Sequence, residues 1–237
     1  MKRFFKISLS AIVILLLCFS AVACSSVPTG KAAYDTSATG EGIMVRMTDV
    51  KTEIDSMEVE DFEATSQRSD YVLIKVKDYG EIVVVLRRDI APETVENFKS
   101  LVDKNFFDGT VFHRVMENFM IQGGGYVPFD GKLTEKEANT IKGEFDINGF
   151  TNNLTHVRGV ISMARLPSSN DSASSQFFIM HQTNPSLNCQ YASFGYVLAG
   201  MDVVDAIATC DVDNPSSQSP KPVKNVVIES VTYVQPK

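Results

Sequence analysis

From Tyr71 onward the chain is cut into short β-rich runs by Gly, Asn and Asp turns, and only two stretches break that rhythm with helical periodicity. YVLIKVK (71–77) and EIVVVLR (81–87), joined through Asp78-Tyr79-Gly80, read as a hairpin. TVFHRV, FMIQ, GVISMAR, SQFFIMH and ASFGYVL follow as further strands, and VKNVVIESVTYV as a last one. Between the hairpin and the third run, APETVENFKSLVDKN places Pro92 at the first helical position and Val95, Phe98, Leu101 and Val102 on one face. A second helix, about MDVVDAIATC, follows Gly200. Many short strands with one early and one late helix predict a mainly β fold, a closed antiparallel barrel capped by two helices.

The N-terminus reads as an address rather than as fold. Lys2, Arg3 and Lys6 precede the apolar run ISLSAIVILLLCFSAVA, which stops at Cys24; a charged region, a hydrophobic region and small residues at a cleavage point make an export signal over 1–23. Seventeen mixed residues are marginal for a membrane span, the competing reading. AVAC (21–24) resembles a bacterial lipobox, which makes Cys24 the expected lipidation site, although Ala21 stands where Leu is commoner. Cleavage there removes three cations and no acid, taking the net charge from -7 to -10, so attachment to the membrane is expected through acyl chains alone. Residues 24–68 are expected to be a lipidated cysteine followed by a flexible tether, polar at first and acidic from 41, with a short ordered piece allowed within it. The folded domain is expected over 69–237.

The acidic balance speaks against a nucleic-acid partner, which needs basic residues gathered on one face. With no CxxC or HExxH and three scattered histidines, no metal or other cofactor is expected. Cys189 and Cys210 are expected to be two unpaired, partly buried thiols. GGGYVPFDGK (123–132) fails the phosphate-loop spacing, because five residues separate Gly125 from Gly131 and Leu133 follows Lys132.

TVFHRVMENFMIQGGG (110–125) is harder to dismiss. An arginine in an apolar run is costly to bury unless it is paired or used, so Arg114 is either a salt-bridged residue at a strand edge or a functional cation. FHRVMENFMIQGG resembles the signature of the cyclophilins, the peptidyl-prolyl cis-trans isomerases. The likeness continues through APETVENF, GVISMAR, SQFFIMH and YASFGYVLAGMDVVD, in order, over about 69–234, with IKGEFDINGFTNN and LTHVRGVISMAR similar to the bacterial branch. The resemblance implies an eight-stranded antiparallel barrel with a helix closing each end. It implies isomerase activity with Arg114, Phe119 and Gln122 as catalytic residues, and Met120, Phe178 and Leu187 completing the apolar pocket for the proline ring. It also implies that the Arg165 backbone holds the residue before proline, that Ala164 and Gln176 line the neighbouring groove, and that Tyr191 stands near the substrate carbonyl. His113 is either a substrate contact or a structural histidine.

Departures from the family pattern carry expectations too. Ser186 replaces a tryptophan linked in the family to cyclosporin, so weak drug binding is predicted. The loop RLPSSNDSAS is longer than in compact members and borders the groove, and Gly125 replaces a common acidic residue. The expected function is acceleration of X-Pro rotation in exported polypeptides, at the outer face of the bacterial cytoplasmic membrane, by a monomer. The competing readings are a non-catalytic module or chaperone that holds proline segments, and a surface adhesin.

Overall fold

A computed structural model describes residues 47–237. The expected signal 1–23, Cys24 and the spacer up to residue 46 lie outside the described residues.

The described chain is mainly β with three α-helices. β2 (Tyr71–Val76) and β3 (Gly80–Leu86) form the expected hairpin, in register from Tyr71↔Val85 to Val76↔Gly80. Its turn takes Asp78 to φ 65° and Gly80 to φ 134°, and a Cβ on Gly80 would stand 2.9 Å from Val203 Cγ2, so this position needs glycine twice over. Along β2 the buried Val72, Ile74 and Val76 alternate with more exposed residues, the period-two pattern of a strand with one face on a core.

From β3 the antiparallel sheet continues through β11 (Ser193–Ala199), β9 (Val160–Met163), β10 (Phe177–Met180), β6 (Met120–Gly123) and β5 (Arg114–Met116). On the other side of β2 lie β12 (Val226–Pro236) and then β1 (Phe62–Ala64). β4 (Val111–Phe112) pairs with β12 and is separated from β5 by His113 alone. A further hairpin, β7 (Tyr126–Phe129) and β8 (Lys132–Glu135), stands apart from this sheet. It turns at Asp130 (φ 48°) and Gly131 (φ 71°), both left-handed as a two-residue type I′ turn requires. The stretch that fails as a phosphate loop is therefore a hairpin.

α2 (Pro92–Asp103) begins at Pro92 and buries Val95, Phe98, Leu101 and Val102, as its periodicity predicts. Its N-cap, Ala91, has no polar side chain. The buried Glu144 supplies the missing acceptor from fifty residues away, taking N–H bonds from Glu93 (3.1 Å) and Thr94 (2.8 Å). A carboxylate there satisfies two orphan donors and faces the positive end of the helix dipole. Phe98 drives the helix into a cluster of rings, with centroids 4.8 Å from Phe107, 5.3 Å from Phe194 and 5.8 Å from Phe177.

The third helix is a correction to the expected two, and it falls where a flexible tether is expected. α1 (Met47–Glu53) and the segment to β1 strap the domain from outside. Val50 and Phe62 are buried, Asp55 and Met57 donate backbone bonds to Val197 and Leu198, and the Tyr196 hydroxyl donates to Glu53. Asp55 also accepts from Met201 N at 3.1 Å. It thereby caps α3 (Met201–Ala208), whose own cap residue, Gly200, has no side chain to do so. β1 then pairs with β12, Phe62↔Pro236 to Ala64↔Val234. Order thus begins before Ser69.

Candidate active site

The eight-residue spacing of Arg114 and Gln122 has a simple cause. β5 and β6 are a hairpin turning at Asn118 (φ 62°), and its register sets Arg114 directly opposite Gln122. On the next strand Phe178 is opposite Gln122 and Met180 opposite Met120, so side chains two apart along each strand build one face. Phe119 at the turn, Ala164 and Arg165 after β9, Leu187 in the 3-10 turn Pro185–Leu187, and Tyr191 close around it. Together with Arg114, Met120, Gln122 and Phe178 they line a cavity of about 90 Å³. Two larger hollows lie elsewhere, one of about 560 Å³ rimmed by acids such as Glu58, Asp78 and Glu229, another of about 380 Å³ beside Lys51 and Pro185. The small cavity combines apolar walls with the convergent polar groups of Arg114, Gln122 and Tyr191.

Arg114 is half-buried and, among the described residues, forms no ion pair, so it is not a salt-bridged strand-edge residue. Neutral acceptors hold it instead. Its Nε donates to the Gln218 carbonyl (3.0 Å) and its Nη1 to Gln122 Oε1 (3.2 Å), while Nη2 lies 3.3 Å from Met116 Sδ. The guanidinium carbon sits 5.9 Å from the centre of the Phe119 ring. Burial pulls its pKa down from the ordinary arginine value, yet a guanidinium remains a cation at neutral pH. Gln122 is oriented in turn, its Nε2 donating to Gln176 Oε1 at 3.0 Å. Gln176 therefore stands behind Gln122 rather than in the cavity lining.

Tyr191 packs edge-on against Phe178 at 5.8 Å, and Arg165 spreads over both Tyr191 (4.9 Å) and Phe145 (5.3 Å). Arg165 also donates to the carbonyls of Gln190 and Leu166, which fixes its guanidinium at the rim. Asn184 caps the turn that presents Leu187, its Oδ1 accepting from the Ser186 backbone N (3.1 Å) and from the Ser186 hydroxyl (2.6 Å). His113, like Gln176, is a candidate that lies outside the lining. It precedes Arg114 on the same strand run, and neighbours in extended chain point to opposite faces. Its ring packs on Tyr126 at 4.6 Å, and burial lowers its pKa to about 4.

Three further features support the site from outside the cavity lining. His156 lies behind the pocket, stacked on Phe178 (5.9 Å between centroids, 18° between planes). Asn188 Oδ1 accepts from both the backbone N and Nδ1 of His156, so the ring proton is on Nδ1 and Nε2 accepts from the Ser162 hydroxyl at 3.1 Å. The second feature is the Gln218 carbonyl, 104 residues from the arginine that it holds. The third is the space at Gly125, where a Cβ would stand 2.3 Å from Gln176 Cγ. The glycine that replaces an acid is what lets Gln176 lean toward Gln122.

Fold and cavity define a β-sheet protein with a small, partly apolar cavity beside a cation that no acid among the described residues neutralises. Comparison with known proteins says which. The family model for "Cyclophilin type peptidyl-prolyl cis-trans isomerase/CLD" matches residues 71–233. The peptidyl-prolyl cis-trans isomerase of Acinetobacter baylyi is 44% identical over 158 residues, covering 64% of this chain and 79% of that one. Isomerase B of Escherichia coli is 39% identical over 163 residues, covering 65% and 94%. The crystal structure of a Cryptosporidium parvum cyclophilin-type isomerase in the presence of the dipeptide Ala-Pro superposes with a TM-score of 0.57 at 27% identity, over 68% of this chain and 97% of that one. The chain belongs to the cyclophilin-type peptidyl-prolyl cis-trans isomerase family and is an enzyme of that activity.

Proposed function

We propose that the enzyme turns X-Pro bonds of exported polypeptides by offering Arg114 to the twisted imide. The barrier, roughly 18–20 kcal/mol, comes from amide resonance. As the bond twists, the prolyl nitrogen recovers a lone pair that it lacks in either planar isomer. A donor aimed at that nitrogen binds the twisted form better than the ground states, which is what catalysis requires. Arg114 suits this because its charge is permanent and its fork is already held by Gln218 and Gln122. Phe119, Met120, Phe178 and Leu187 hold the ring, and no bond to the enzyme is made. The observation that carries the reading is a half-buried guanidinium with no acid partner among the described residues, lining a cavity of about 90 Å³.

The sheet itself is best read as the expected eight-stranded barrel. β4 and β5 are one strand interrupted at His113, and that strand would join β12 to β6. The site of action follows from residues 1–24: export, lipid on Cys24, and work at the outer face of the cytoplasmic membrane on chains that emerge unfolded. Slow prolyl isomerisation, tens to hundreds of seconds when uncatalysed, gives such an enzyme a task there.

The test is prolyl isomerisation of a proline-containing peptide by the parent and by Arg114→Ala, with thermal melting to show that the variant is folded. A loss of about 10²–10³ in kcat is expected for removing an electrostatic donor of this kind. A folded variant within threefold of the parent overturns the arginine mechanism. Replacing Cys24 by Ser and measuring whether metabolically supplied fatty acid still labels the protein tests the anchor, and unchanged labelling would refute it.

A further inference from the structure

The turn that carries Phe119 is gripped from outside the pocket. Asn118 is left-handed, and the backbone groups on either side of the Asn118–Phe119 peptide unit both bond to the segment after β10. The Phe119 carbonyl accepts from His181 N (3.0 Å) and Gln182 N (3.2 Å). Asn118 N donates to Nδ1 of the His181 ring at 2.9 Å. Because Nδ1 is the acceptor, the ring proton sits on Nε2, which faces Asp205 Oδ1 at 3.2 Å. Asp205 lies on α3 and forms a two-point ion pair with Arg158, Nη1–Oδ1 2.6 Å and Nη2–Oδ2 2.8 Å. Arg158 Nη1 also donates to the His181 carbonyl at 2.9 Å. Carboxylate and guanidinium thus fix the tautomer and tilt of an imidazole whose side chain is 13% exposed. None of these three residues lines the cavity.

We infer that His181 is a positioning residue for the isomerase, acting through Phe119, with Asp205 and Arg158 holding its ring so that Nδ1 always faces Asn118. A histidine that merely fills space would not distinguish its two nitrogens. Here they have separate tasks: Nδ1 holds the turn, and Nε2 holds the ring to α3. Loss of the first frees the Asn118 N–H and lets the Phe119 ring drift from the proline, in ground state and transition state alike, so KM rises more than kcat falls. The inference rests on the reading that this cavity takes the proline ring.

Two substitutions separate the nitrogens. His181→Asn places an amide oxygen near the position of Nδ1 and nothing at Nε2. His181→Gln reaches toward Asp205 and offers Asn118 no acceptor. With a proline-containing peptide, Gln is expected to raise KM about tenfold with kcat within about twofold, whereas Asn stays within about threefold of the parent in both, the size expected for one hydrogen bond. Hydrogen exchange at the Asn118 amide should speed up in the Gln variant and not in the Asn variant. Equal KM changes in the two variants, or unaltered Asn118 exchange in the Gln variant, would overturn the inference. So would imidazole nitrogen shifts of the unsubstituted protein that place the ring proton on Nδ1, a measurement that needs no variant to fold. If the parent proved unable to turn prolyl bonds, the reading of the cavity would fall, while exchange and nitrogen shifts would still decide whether His181 holds the turn.

Discussion

Adding one methyl group at Gly125 should weaken catalysis without unfolding the protein, and the route is specific. A Cβ there would lie 2.3 Å from Gln176 Cγ, 2.9 Å from Cδ and 3.1 Å from Nε2. The Gln176 side chain has to swing away, and Gln122 Nε2 loses its 3.0 Å acceptor. Gln122 Oε1 then holds Arg114 Nη1 from a side chain that is free to rotate. One such bond is worth about 0.5–1.5 kcal/mol net, which at 1.36 kcal/mol per factor of ten is roughly a two- to twelvefold fall in kcat/KM. Fold stability should change little, because what moves is one flexible side chain at the surface of the groove. The assay is isomerisation kinetics on Gly125→Ala, Gln176→Ala and the double variant. If Gln176 transmits the effect, Gly125→Ala costs almost nothing further once Gln176 is alanine. Additive losses in the double variant would refute the relay.

Acid should destabilise the fold before the carboxylates titrate. Burial lowers both His113 and His156 to about 4 when folded, against roughly 6.5 in the unfolded chain. The unfolded state therefore binds more protons between those values, and stability should fall as pH drops from about 6.5 to about 4, on the order of 2–3 kcal/mol for each ring. Urea midpoints that stay flat between pH 7 and 4.5 would contradict this. Glu144→Gln should leave one N–H at the start of α2 facing an amide nitrogen, costing about 1–3 kcal/mol, and the melting temperature should drop by roughly 2–4 °C for each of these. An unchanged melt would show that the cap is dispensable. Arg165, at the rim with no carboxylate partner among the described residues, should favour peptides with Glu over Lys beside the proline by about tenfold, since attraction and repulsion of unit charges roughly 6 Å apart in water differ by about 1.4 kcal/mol. Arg165→Gln should abolish that preference, and its survival would place the selectivity elsewhere.

What could be read from the residues and what could not divide by the distance to a partner. The hairpin that sets Arg114 against Gln122 lies within nine residues, and the strand runs and both longer helices announce themselves by period alone. His113 was legible in principle, since alternation along an extended run already turns it away from Arg114. The β7–β8 turn is marked in the sequence by Asp130-Gly131, a dipeptide suited to a two-residue hairpin turn, inside a stretch whose glycines otherwise suggest a phosphate loop. Glu144, His156 and His181 belong to another class. Each has a hydrogen-bond partner between 32 and 63 positions away, and nothing in its own neighbourhood marks it. The strap is similar: the buried Val50 and the partly buried Ile54 are one helical turn apart, too few to make a pattern, and the apolar cluster they join is assembled from strands far along the chain.

The strap also changes what counts as a separable piece of this molecule. A strand at the rim of a sheet offers its bare N–H and C=O groups to any other chain, and proteins shield such rims. Here Phe62–Ala64 covers Val234–Pro236, and Lys237 N adds a bond to the Asp61 carbonyl. Cutting the chain at the start of the family-matched region would strip that cover, leave α3 without Asp55, and bare the patch that Val50 shields. Such a fragment would keep every residue of the pocket and acquire a sticky flank, so aggregation, rather than lost chemistry, is the form its failure would take.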